Sequence, residues 1–261
     1  MKLKTTLAAG AATFALMTGA AMAETVKVGI AAEPYPPFAA PDSAGNWTGW
    51  EVEMIDAVCN AAEIECELTP TAWDGIIPSL MGEQIDVIMA SMSITEDRAK
   101  QIDFTDHYYK TPAVVVAPKG SDIEPTVEGL EGLEGKILGV QASTTHQAYA
   151  QKHFEDAVAE IRIYQTQDEA NQDLFSGRVD AIQADSIAMA DFVESDMGDC
   201  CEIVGAVADD VAVLGQGVGA GVRKGDDELR EKLNEGIAKV LEDGTHEEIT
   251  AKYFSAPIYS E

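Results

Sequence analysis

The chain has 261 residues, with 46 acidic against 17 basic side chains and a formal net charge of −29 at pH 7. That balance excludes a nucleic-acid surface, which needs a basic footprint, and it argues against docking to anionic lipid. Self-repulsion of this kind favours solubility, and it would also attract cationic ligands.

The amino terminus reads as a leader. Lys2 and Lys4 precede an alanine-rich apolar run, "LAAGAATFALMTGAAMA", that ends in Ala21-Met22-Ala23, a small-x-small cleavage site. Residues 1–23 are expected to be a secretory signal peptide. The run is short for a membrane anchor, and no Cys follows the cleavage site to carry a lipid. An exported chain starting at Glu24 is expected.

From there strands and helices alternate, the rhythm of an α/β protein with largely parallel sheets. "TVKVGI" (25–30) predicts the first strand. "WEVEMIDAVCNAA" (50–62) predicts a helix, with Val52, Ile55, Val58 and Cys59 at helical spacing. "CELTP" (66–70) predicts a strand, and "GIIPSLMGEQ" (75–84) a helix that tolerates Pro78 in its first turn. A buried strand begins at Ile85. "DFTDHYYK" (103–110) leads into "PAVVVAPK", a new strand. "KILGV" (136–140), a helix from Thr145, "EIRIY" (160–164), "DEANQDLFSGR" (168–178) and "DAIQA" continue the alternation. "VADDVAVLGQGVGAGVRK" (207–224) predicts a return to strands, and two helices close the chain.

Four cysteines in an exported chain point to oxidation. Cys59 and Cys66 flank an expected helix end and strand start, and a disulfide is expected between them. Cys200 and Cys201 are adjacent; a vicinal bond, two thiols or a cross-link elsewhere all remain open, with the vicinal bond preferred. No His or second Cys pair stands at metal-ligand spacing around them.

Two segments share a frame. In "IDVIMASMSITEDR" (85–98) and "VDAIQADSI" (179–187), Asp86 matches Asp180, Ile88 matches Ile182 and Ala90 matches Ala184. Where the first copy has Ser91, the second has Asp185. The repeat implies two similar lobes. Ligands of open α/β sheets sit beyond the carboxyl ends of strands, so Ser91 and Asp185 would meet in one cleft. Ser93-x-x-Glu96 has capping-box form, and Ser143-Thr144-Thr145 precedes the next helix. Both are helix starts on the plainer reading. Each would also offer free N–H groups to an anion, and Arg98 adds a planar fork that matches a carboxylate.

Taken together, the chain resembles the periplasmic amino-acid-binding proteins of ABC importers, in the subgroup of the lysine/arginine/ornithine- and histidine-binding proteins (bacterial solute-binding protein family 3). The matching pieces are "EPYPPF", "GWEVEMIDAVC", "WDGIIPSL", "IDVIMASMSITEDR", "IDFTDHYY", "GVQASTT", "GRVDAIQAD" and "DGTHEEITAKYF", in family order over nearly the whole mature chain. The Cys59–Cys66 spacing also matches that subgroup.

The resemblance implies a type II binding-protein fold, α/β with two doubly wound sheets joined by a two-crossing hinge. Lobe 1 would comprise 24–110 and 214–261, and lobe 2 would comprise 111–213. It implies that Arg98 holds the ligand α-carboxylate with the backbone N–H groups of Ser93 and Thr145. Asp185 would accept the α-ammonium, with Ser91 close. Trp73 and Tyr35 would supply rings against the ligand side chain, and Glu33 would read its charge. Gln141 and Thr144 complete the expected ligand set. The implied partners are an amino acid and a membrane permease, for a monomer with no cofactor, in the periplasm.

The side chain read is expected to be cationic: lysine, arginine or ornithine, with histidine or an opine behind. The "EPY" loop is one residue shorter than the cationic-ligand pattern, and Ala90 replaces a serine used by some relatives. A neutral amino acid or compatible solute therefore stays open. So does a different class, an exported dehydratase-like enzyme on the same scaffold, with Asp185 or Glu33 as its acid. "GQGVGAG" (215–221) lacks nucleotide-binding spacing and reads as a strand packed closely on another backbone.

Overall fold

The computed structural model describes residues 25–126 and 129–259. The expected signal peptide lies outside them. In chain order, β1 (Val26–Ala31) is followed by a small hairpin of β2 (Ala40–Pro41) and β3 (Trp47–Thr48), then α1 (Trp50–Ala61), β4 (Cys66–Thr71), α2 (Ile76–Met81), β5 (Val87–Ile88), α3 (Glu96–Ala99) and β6 (Asp103–Tyr109). Next come β7 (Ala113–Pro118), the hairpin β8 (Glu124–Thr126) and β9 (Gly129–Glu131), β10 (Ile137–Gln141), α4 (Thr145–His153), β11 (Glu160–Tyr164), α5 (Gln167–Phe175), β12 (Ala181–Asp185), α6 (Ser186–Glu194) and β13 (Cys201–Ala206). The chain ends with α7 (Val211–Leu214), β14 (Val218–Val222), α8 (Asp227–Glu242) and α9 (Thr245–Tyr253).

Two five-stranded sheets result, in the orders β4-β1-β5-β14-β6 and β11-β10-β12-β7-β13. Each has a parallel core of three strands, with the first strand in the middle, and two antiparallel strands on one flank. This is the two-lobed α/β architecture that the duplicated frame implied. Lys110–Pro112 and 207–217 connect strands of different sheets.

The helical predictions rest on apolar spacing, and burial follows it. Trp50, Val52, Met54, Ile55, Val58 and Cys59 of α1 are buried. The Trp50 indole N–H reaches Thr250 Oγ1 on α9 at 3.1 Å, tying the carboxyl-terminal helices to the first sheet's layer. β14 carries the glycines because it runs between β5 and β6 under Ile94. A Cβ on Gly219 would stand 2.8 Å from Ile94 Cδ1 and 3.1 Å from the Thr105 carbonyl oxygen, so a side chain there would force Ile94 to shift.

Several local predictions shift. The strand begun at Ile85 pairs only over Val87–Ile88. The apolar run 211–214 forms a helical turn instead of a strand, with Asp210 C=O accepting from Val213 and Leu214 N–H and Gly215 closing it at φ 90°. A short apolar run has no periodicity that separates the two. Ser93 does not cap α3: Thr95 does, its Oγ1 accepting from Arg98 N–H. The helix expected from Thr145 does begin there, capped by Thr144. Cys59 and Cys66 form a disulfide, S–S 2.04 Å, that staples the end of α1 to the start of β4. Cys200 and Cys201 are joined as a vicinal pair.

Candidate functional site

The turn after β5 is built by a buried acid. Ser91 adopts φ 54°, a left-handed conformation uncommon for a residue with a Cβ. Glu51, at 1% exposure on α1, stabilises it. One carboxylate oxygen, Oε2, accepts both the Ser91 N–H (2.9 Å) and the Ser91 hydroxyl (2.7 Å). The other, Oε1, accepts the Tyr108 hydroxyl. Burial raises the Glu51 pKa, and the bonds from Tyr108 and Ser91 oppose that rise.

Arg98, on α3, reaches both lobes. Its guanidinium donates to Ser93 C=O at 2.9 Å within its own lobe and to Ser143 C=O at 3.3 Å across the cleft. The Trp73 ring lies 5.5 Å from its central carbon, within cation–π range. Burial lowers its pKa to about 10, which leaves it charged at neutral pH. Trp73 also crosses the cleft, its indole N–H donating to Ala142 C=O at 3.2 Å. Glu33 Oε2 accepts the Trp73 backbone N–H at 3.0 Å, so the acid helps fix the ring.

The opposite wall comes from the second sheet. Asp185 ends β12 and caps α6, its Oδ1 accepting from Ile187 N–H at 2.8 Å and its Oδ2 from the Thr111 hydroxyl. Burial pushes its pKa up to about 6, against the pull of Thr111 and the Ile187 and Ala188 N–H groups. Burial, then the Asp185 charge, raises the Tyr35 hydroxyl well above its ordinary value. These groups face one cleft of about 470 Å³.

Residues 26–256 match the family model for bacterial extracellular solute-binding proteins, family 3. The chain belongs to that family. Within it, the protein is 38% identical over 236 residues to the L-arginine-binding protein of Pseudomonas aeruginosa, covering 90% of this chain and 89% of the relative. It is 37% identical over 242 residues to the histidine-binding periplasmic protein of Escherichia coli K12, covering 92% and 91%. The solved structure of an ancestral arginine-binding protein bound to arginine superposes with a TM-score of 0.79 at 35% identity, covering 88% of this chain and 98% of that one.

In this solute-binding protein, every residue of the expected ligand set lines the same cleft: Glu33, Tyr35, Trp73, Ser91, Ser93, Arg98, Gln141, Thr144, Thr145 and Asp185. Two of them also shape it from behind. Gln141 donates to Gln165 C=O at 3.2 Å, and Thr144 Oγ1 donates to Gln141 C=O at 2.7 Å. Sequence reasoning missed Glu51, Lys110, Thr111, His146 and Asp209, which share the cleft. Glu51 left a readable signal, an acid among the buried positions of α1. His146, in the first turn of α4, has a pKa lowered to about 4 by burial and by Arg98, so it is neutral at pH 7.

Proposed function

We propose that this exported solute-binding protein captures a cationic amino acid between its lobes and delivers it to the permease of an ABC importer. One observation carries the reading. Arg98, on α3 between strands β5 and β6 of the first sheet, and Asp185, at the end of β12 in the second, line one cleft, where four carboxylates (Glu33, Glu51, Asp185, Asp209) meet only two cations (Arg98, Lys110). A zwitterion satisfies the Arg98–Asp185 pair and bridges the lobes, which favours closure. An additional positive charge on its side chain offsets the surplus of acid. The arginine- and histidine-binding relatives support the same class.

In this reading lobe 1 is 24–110 with 214–261, lobe 2 is 111–213, and the protein acts as a monomer in the periplasm. Arg98 and the N–H groups of Ser93 and Thr145 take the α-carboxylate, and Asp185 with Ser91 takes the α-ammonium. Gln141 and Thr144 support the second-lobe wall. Trp73 and Tyr35 flank the side chain, and Glu33 meets its charge. A dehydratase on this scaffold, with Asp185 or Glu33 as its acid, is less well supported, because the relatives matched over most of the chain are amino-acid-binding proteins.

The test is calorimetry with arginine, lysine, ornithine, histidine, glutamine and leucine, on the unaltered protein and on Glu33→Gln. A charge-assisted hydrogen bond contributes about 1.5–3 kcal/mol. Glu33→Gln should therefore weaken arginine or lysine by roughly 10–200-fold and spare neutral amino acids. Tighter binding of glutamine or leucine than of every cationic candidate would overturn the cationic class.

A further inference from the structure

Glu51 is a buried acid whose three described hydrogen bonds all come from neutral donors. Its position under the cleft gives that arrangement a consequence. Ser91 has two donors, a backbone N–H and a hydroxyl, and Glu51 Oε2 takes both. A carboxylate is the strongest acceptor within reach, so the hydroxyl proton stays with it. What Ser91 has left are the lone pairs of Oγ and its carbonyl oxygen. Ser91 can then accept hydrogen bonds from a ligand and cannot donate one.

The left-handed backbone at Ser91 serves the same end. Its N–H would otherwise be free to the solvent or a ligand, and the turn directs it to α1. A turn in the second lobe also holds a left-handed serine by its N–H: Ser143, at φ 60°, gives its N–H to Gln147 Oε1 at 2.7 Å, and its carbonyl accepts from Arg98. Tyr109 lines the same cleft as Ser91, Glu51 and Asp185, and burial, then the charges of Glu51 and Asp185, push its hydroxyl well above its usual pKa.

We propose that Glu51 is a positioning residue that makes Ser91 an acceptor-only group, and that this selects a ligand α-ammonium over an α-hydroxyl or α-keto group. The proposal rests on the amino-acid-binding reading. An ammonium has three protons to give, one for Asp185 and one for Ser91. An α-hydroxyl has one proton, so one acceptor is left unmatched. An α-keto oxygen has none and faces acceptors alone.

The probes are L-arginine and its α-hydroxy analogue, and the quantity read is the ratio of their dissociation constants. Glu51→Leu fills the same volume without an acceptor. It frees the Ser91 hydroxyl to donate, and the preference for arginine should fall at least about tenfold. Glu51→Gln keeps an amide oxygen for Ser91 and turns its NH2 to the Tyr108 oxygen, so the preference should stay within about threefold of the unaltered protein. Ser91→Gly accepts the φ and removes Oγ; it should lower the preference as Glu51→Leu does, and adding Glu51→Leu to it should change nothing further. An unchanged ratio in Glu51→Leu overturns the proposal. So does a loss in Glu51→Gln as large as in Glu51→Leu, or a Glu51→Leu effect that persists without Oγ. If Glu51→Leu does not fold, the Ser91→Gly ratio decides, and a value at the unaltered level overturns the proposal. Failure of the unaltered protein to bind any amino acid overturns the proposed function itself, and the inference with it.

Discussion

β5 and β12 are the same piece of structure put to opposite uses. Both are third strands beside a parallel first strand. Asp86 Oδ2 accepts Lys27 N–H at 3.0 Å, and Asp180 Oδ2 accepts Ile137 N–H at 2.7 Å, each acid gripping the start of its neighbouring strand. The backbone answers identically: Asp86 N–H donates to Lys27 C=O and Asp180 N–H to Ile137 C=O, at 2.8 and 2.9 Å. The divergence comes five residues later. β12 passes directly into α6 and leaves Asp185, an anion, at the junction. After β5 the chain makes the left-handed turn at Ser91 and continues to Thr95 before α3 begins, which brings Arg98 to the cleft. The shared frame builds the lobes. The unshared ends set a cation, Arg98, facing the cleft from one lobe and an anion, Asp185, from the other.

Breaking the cationic wall should have the largest effect. Arg98→Ala leaves a ligand carboxylate desolvated without its counter-charge, which costs about 3–5 kcal/mol, or about two to four decades in affinity. Calorimetry with arginine measures it, and near-native affinity would reduce Arg98 to a bridge between turns.

The anionic wall should respond next, and to pH as well. In the proposed clamp the ligand ammonium requires ionised Asp185, whose pKa in the free protein is raised to about 6. Affinity should be level above about pH 7 and fall by up to about tenfold per pH unit below 6. Asp185→Asn should lower affinity by roughly 10–200-fold at pH 8 and flatten that profile. The sign reverses for stability of the free protein. A carboxyl with a raised folded-state pKa contributes stability below its ordinary value near 4 and loses it as pH rises through about 6. Thermal melts of Asp185→Asn should therefore exceed the unaltered protein at pH 8 and approach it at pH 4.

Smaller effects sharpen the contrast. Trp73→Phe keeps a ring beside Arg98 and loses the bond to Ala142 across the cleft. It should weaken closure by about 0.5–1.5 kcal/mol, read as a several-fold loss in arginine affinity. Replacing Cys59 and Cys66 by serine should cost stability, about 2 kcal/mol for so short a loop, with ligand affinity nearly unchanged because the bond lies at the far end of α1.

The sequence made legible whatever repeats or alternates. The duplicated Asp–x–Ile–x–Ala frame disclosed two lobes, and the polar residues at its ends disclosed the cleft. Side chains acting through another residue were harder to see. Glu51 sits in a helix whose other buried positions are apolar, and nothing in its own neighbourhood names Ser91, 40 residues away. Thr111 and Asp209 lie in the segments connecting the sheets, where no period marks a residue as facing inward. The misplaced cap of α3 has a local cause. Ser93 and Thr95 are both competent capping residues, and only the backbone course selects between them.

The central claim is that Arg98 and Asp185 hold the two ends of one zwitterion from opposite lobes. Calorimetry on the unaltered protein tests it without any substitution, by comparing L-arginine with two truncated forms. One lacks the α-carboxylate (agmatine), and the other lacks the α-amino group (5-guanidinopentanoate). Each loses a charge-assisted pair, so each should bind at least about tenfold more weakly than arginine, the decarboxylated form weakest of all. If either truncated form binds as tightly as arginine, the corresponding wall does not hold the ligand and the clamp is wrong.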